Sequence, residues 1–145
     1  MSDGLSIGWS NEQQKNALRT YQWVLGFNMF LHLVVGLLCI FCPSFVAQVT
    51  GLPDPIPPGW TRGWGATLML VTALYIPGLI DPIHTRLPNI IGILGRVWMG
   101  TIWVFCALGA AQGGYWQFAV FDYVWALIIA FFYLRLFRAV VMTRP

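Results

Sequence analysis

Four stretches of about twenty mostly apolar residues constrain this chain more than anything else in it. They run over residues 21–42, 60–80, 88–111 and 115–137. A helix needs about 20 such residues to cross a hydrocarbon core about 30 Å thick. The charge content agrees. Only 9% of the 145 residues are charged and 58% are hydrophobic, whereas a soluble domain carries about 25% charge. Such a chain cannot cover its own surface with polar groups, so lipid must be the solvent for most of it. The expected fold is a single all-α membrane domain, an antiparallel bundle of four transmembrane helices.

Local signals mark the limits of these spans. Ser10 followed by Gln13 has the spacing of a capping box, so the first helix starts in water within the polar segment 1–20 and runs on into the membrane. Pro43 cannot continue a helix interior. The stretch GLPDPIPPG (51–59) reads as an irregular loop, and PGLIDPIHTRLP (77–88) as the loop between the second and third spans. QGG (112–114) reads as a tight turn that makes the last two spans neighbours. RGWG (62–65) and RVWMG (96–100) echo one another, a weak sign of duplication. Residues 139–145 form a short tail. No secretory signal is visible at the start of the chain.

Basic residues set the expected orientation. Lys15, Arg19, Arg86, Arg135, Arg138 and Arg144 fall on one side of a four-span layout and only Arg62 on the other. The positive-inside rule then predicts both termini in the cytoplasm, as for a protein of a bacterial inner membrane. The net charge of +3 is scattered over helix ends, which does not fit a nucleic-acid partner. The expected partners are the lipid bilayer and other membrane subunits or copies of the chain itself.

Charged groups within spans are costly and turn toward the bundle interior. Arg96 lies about 12 Å from the inner end of the third span and Asp122 about 10 Å from the outer end of the fourth at 1.5 Å per residue, so their depths differ by about 8 Å across a core of about 30 Å, which an extended arginine bridges. Arg62 lies about as far from Asp122 on the other side and is the second candidate partner. Gly92, Gly100, Trp103, Ala107 and Ala111 share a face with Arg96, while Tyr115, Ala119, Ala126 and Tyr133 share one with Asp122. Small residues on such faces permit close helix approach. Asn28, His32, Gly36 and Cys39 form one stripe on the first span. The expected polar core is therefore Asn28, His32, Arg62, Arg96 and Asp122, either as a register-fixing ion pair with its satellites or as a ligand or proton site. His32 itself has several readings: bonded to Asn28 or Asp122, carrying protons, or ligating haem or chlorophyll. Haem is disfavoured because the only other histidine, His84, lies in a loop. No metal-ligand spacing occurs. Asp81, His84 and Arg86 form a small charged cluster at the inner face, set to pair with tail arginines or to meet headgroups or a partner.

Cys39 and Cys42, followed by Pro43, make a Cys-x-x-Cys pair at the outer end of the first span. Four helices with such a pair at the outer face are similar to the DsbB-type thiol–quinone oxidoreductases and the vitamin K epoxide reductases. The resemblance covers only this motif and the helix number. It implies Cys39 and Cys42 as a quinone-proximal catalytic pair. Those families also use a second, loop-borne pair, and the only other cysteine here, Cys106, lies within the third span.

Three functional readings follow. The leading one is a non-catalytic accessory or structural subunit of a membrane complex, or a homo-oligomer, because the loops are short and the aromatic content is high (eight tryptophans, ten phenylalanines). The alternative is a protein that binds or transports a quinone-like or anionic small molecule through its Arg/Asp/His interior, with quinone as the possible cofactor. The third is the thiol–quinone enzyme.

Overall fold

The computed structural model of the chain describes residues 11–110 and 113–142. Five helices make up the fold: α1 (Asn11–Phe41), α2 (Pro43–Thr50), α3 (Gly59–Ile80), α4 (Arg86–Ala110) and α5 (Gly114–Met142). No strand occurs among the described residues. Helices α1, α3, α4 and α5 are long and apolar enough to cross a membrane, which points to a membrane protein. Large apolar side chains face outward throughout, among them Trp23, Phe30, Trp98, Phe105, Leu127 and Phe131. Water would penalise that surface, whereas acyl chains would not.

Glycines draw α1 and α3 together. Gly36 and Gly65 face one another, and a Cβ on Gly65 would stand 2.6 Å from the Gly36 carbonyl oxygen and 2.8 Å from Cys39 Cβ. Nearer the start of α1, Gln22 donates to the Leu79 carbonyl at 3.0 Å. Helix α5 packs along α4 and also against α1. The α1–α5 contact forms the dry core, with Tyr21, Leu25, Ile129, Leu136 and Ala139 fully or almost fully buried and the Tyr21 and Tyr133 rings 5.3 Å apart. Helices α3 and α4 meet over a much shorter length. There the buried Asn89 amide donates to the Gly78 carbonyl at 3.2 Å, and the Tyr75 ring lies against Gly92, filling the space a Cβ would need.

The elements differ from expectation at three places. Pro43 does end the first helix, but it then opens α2 instead of a loop. Proline suits a first helical turn, where its missing N–H costs nothing. Gly51, at φ 69°, closes α2 in the left-handed region, with Leu52 N–H donating to the Ala47 carbonyl at 2.9 Å, the usual C-terminal wrap. Pro77 lies inside α3 rather than in a loop, so the connection to α4 shrinks to residues 81–85. Helix α5 continues to Met142, past the expected start of the tail. Ser10 of the capping box, Gln112 of the turn and Arg144 of the tail lie outside the described residues.

In the 81–85 connection Asp81 pairs with His84 at 2.9 Å, and among the described residues no tail arginine pairs with it. Arg86 donates to the Ile83 carbonyl and covers the Phe137 ring at 5.3 Å. The His84 backbone N–H donates to the Asp81 carboxylate and, with the ring nitrogen, holds the Asp81 carboxyl below the usual aspartate range. A carboxyl with a lowered folded-state pKa contributes stability above its unfolded value of about 3.9, and that contribution is lost as pH falls through the folded value. Asp81→Asn should therefore lower the thermal midpoint at pH 7, and the gap to the parent should close as the pH is brought below 4. Circular dichroism melts in detergent at both pH values check this. By contrast, Gly65→Val should cost about 1–3 kcal/mol through overpacking, whereas Gly63→Ala, where an added Cβ meets nothing within 4 Å, should be neutral or stabilising in the same melts.

Candidate functional site

Four helices converge on Arg96. The α1 stripe of Asn28, His32, Gly36 and Cys39 is buried along its length, which follows from spacings of four and three residues on one helix face. Arg96 on α4 is only 3% exposed, and its Nη1 donates to Asp122 Oδ1 on α5 at 2.8 Å, a buried salt bridge. Its Nη2 reaches both Asn28 Oδ1 and His32 Nε2. Trp103, two turns along α4, donates from its indole to Asp122 Oδ2 at 3.2 Å. The guanidinium carbon stands 5.6 Å from the Phe121 ring centre. From α3, Tyr75 interacts with Arg96 and packs its ring against His32 at 6.2 Å.

Arginine has only donors. His32 Nε2 must therefore accept from it, which makes the imidazole neutral with its proton on Nδ1. That Nδ1 is buried and has no hydrogen-bond partner among the described residues; the same holds for Arg96 Nε and Asn28 Nδ2. His32 is thus bonded to Arg96 rather than to Asn28 or Asp122, and one of its two possible ligating nitrogens is already engaged.

The cluster forms the floor of a cavity of about 480 Å³ between α3 and α4. This is within the usual range of small-molecule sites, about 300–1,000 Å³. Its walls are almost entirely apolar, with Val71, Met99 and Phe118 on three different helices. Leu74, Leu87 and Ile91 edge its outer side and are themselves exposed. At one end Trp64, Trp103 and Phe118 form an aromatic wall with ring centres 5.3–5.6 Å apart, and Tyr115 stacks on Trp103. Beyond this wall lies a second cavity of about 250 Å³ between α2, residues 52–61 and the start of α5.

Arg62 does not join the cluster. It falls in the first turn of α3 and is exposed, and Asp122 is already occupied by Arg96 and Trp103. Cys39 and Cys42 are both free thiols. Cys39 is buried and Cys42 is exposed at the α1–α2 break, so the two do not present a common face. Among the described residues no three histidine, cysteine or carboxylate side chains are grouped to hold a metal. Sequence reading missed Tyr75, Trp64 and Asn89. Thr72 and Tyr75, both buried at helical spacing on α3, were the available hint. Compared with family models, curated proteins and solved structures, the chain matches none of them.

Removing one member of a buried ion pair strands the other charge. Asp122→Ala should destabilise by about 3–5 kcal/mol, and the double replacement Arg96→Met with Asp122→Leu should cost less than either single change. Denaturant titration in mixed micelles checks both, and additive losses would show that the two charges do not act as a pair.

Proposed function

We propose that this membrane protein binds an amphiphilic small molecule taken laterally from the bilayer through the opening between α3 and α4. The ligand's polar head meets the Arg96–His32–Asp122 cluster and its apolar body lies along the α3–α4 groove. The observation that carries the reading is the cavity on which the cluster opens. An ion pair that only held helices in register would be sealed by side chains on every side. Here one side of it is open, the opening is walled by apolar groups, and its edge is accessible to acyl chains. An apolar pocket with a few convergent polar groups is the usual form of a ligand site. The distribution of Lys and Arg supports a bacterial inner membrane with both termini in the cytoplasm.

The accessory-subunit reading retains one support. Helices α3 and α4 barely meet, and a cleft of that kind also suits a helix from a partner. Gly95 separates the two readings. It lines the cavity, yet a Cβ on it meets nothing within 4 Å. Gly95→Phe should fill the cavity without forcing the helices apart, and removing a mid-helix glycine favours the helix. The variant should fold with an unchanged or higher thermal midpoint and lose an amphiphile that the parent carries through purification, as read by mass spectrometry of solvent extracts. Equal extracts from both proteins would refute ligand binding. Loss of a copurifying membrane protein, with equal extracts, would favour the partner helix.

A further inference from the structure

We propose that the head group this site takes is a neutral ring carbonyl on a hydrocarbon chain, as in a quinone, and not an anion. This rests on the ligand-binding reading above and names the ligand's class. Three observations lead to it.

The first is the charge balance. Arg96 and Asp122 are paired at 2.8 Å, and the hydrogen bond from Arg96 makes His32 neutral, so the cluster carries no net charge. An anion placed there would be a third charge in a medium of low dielectric without a counter-charge of its own. A cation would face the guanidinium. A neutral head avoids both.

The second is the hydrogen-bonding sense of what remains. Arg96 Nε and His32 Nδ1 are buried in residues that are 3% and 8% exposed, both residues line the cavity, and both atoms lack partners among the described residues. Arg96 Nε–H is a donor by chemistry. His32 Nδ1–H is a donor because Nε2 accepts from Arg96. These two unpaired donors belong to residues that line one apolar cavity, and an acceptor oxygen is the group that would complete them. A head without an acceptor would leave them unsatisfied, at a cost comparable to a lost hydrogen bond.

The third is depth. Arg96 lies ten residues from the start of α4, about 15 Å along its axis, close to the middle of a hydrocarbon core about 30 Å thick. Ester carbonyls of phospholipids sit at the headgroup boundary and do not reach that level. A carbonyl ring carried on a chain lies wholly within the hydrocarbon and does.

The test uses the full chain in nanodiscs of a diether phosphatidylcholine, which has no ester carbonyl. Unfolding is followed by tryptophan emission with added decylquinone, decanoate or dodecane at equal mole fraction. Anything that binds the folded state raises the midpoint. Decylquinone should raise it, decanoate and dodecane should not, and Gly95→Phe should abolish the rise. His32→Phe should weaken quinone affinity about tenfold, the worth of one hydrogen bond. His32→Gln, whose carbonyl can accept from Arg96 while its amide donates, should restore most of it and guards against misfolding of the first variant. A rise with decanoate or dodecane equal to that with quinone would overturn the neutral-carbonyl head while leaving amphiphile binding intact. No rise with any probe would overturn both. If ester-lipid nanodiscs alone stabilise the parent, and Gly95→Phe removes that gain, the carbonyl comes from a phospholipid and the ring assignment is overturned.

Discussion

A guanidinium buried among apolar helices has to be satisfied, and the way Arg96 is satisfied fixes the relation of the helices around it. Its acceptors come from α1 and α5 while it sits on α4. A rotation of α1 by one residue, about 100°, would carry Asn28 and His32 away together, because they share one face. A shift of α5 by one turn would move Asp122 out of reach and break its bond from Trp103. Buried ion pairs contribute little net stability against apolar replacements, but they distinguish one arrangement from its neighbours. In lipid, where apolar helix faces pack no better against each other than against acyl chains, that discrimination is needed.

The cavity follows from where α3 is held. Glycines 36 and 65 bring it against α1 closely enough that Gly65 has no room for a methyl group and Gly36 only a tight one. Toward α4 it is joined at one end, where Asn89 caps the Gly78 carbonyl and Tyr75 lies against Gly92. At the other end the indoles of Trp64 and Trp103 stand between the two helices. A helix pinned at one end and propped by large rings at the other leaves a wedge of space, and Arg96 projects into its floor. Trp103 thus has two structural duties, as part of the aromatic wall and as a donor that fixes the Asp122 carboxylate.

The sequence carried much of this, unevenly. The four long helices were legible because twenty apolar residues in a row have few other uses. Asn28, His32, Arg96 and Asp122 were legible as a set because polar side chains in such helices have one direction to face, and helical spacing says which residues face it together. Arg62 was misjudged because depth alone does not show that a side chain near a helix end will extend to the boundary. Helix α2 was missed because proline was read only as a stop and not also as a start. The pocket was not legible at all. Spacing along α4 marks Gly92 as a site of close approach, and it does accommodate a tyrosine ring. Gly95, off that face, carries no such signal, and it borders open space. One helix's pattern cannot distinguish a glycine that admits a neighbour from one that leaves a gap.

The same limitation explains why the polar cluster alone underdetermined the role of the chain. Counted as charges, Arg96 and Asp122 cancel, and nothing more is required of them. Counted as hydrogen-bonding atoms, the cluster does not cancel. Arginine, the asparagine amide, the indole and the neutral imidazole together offer more N–H donors than the carboxylate, the amide oxygen and one ring nitrogen can accept. In a sealed core that surplus would cost free energy with no return. Beside an apolar cavity of ligand size, the same surplus is what supports the proposed ligand: a molecule that brings acceptors, carries no charge and travels in lipid.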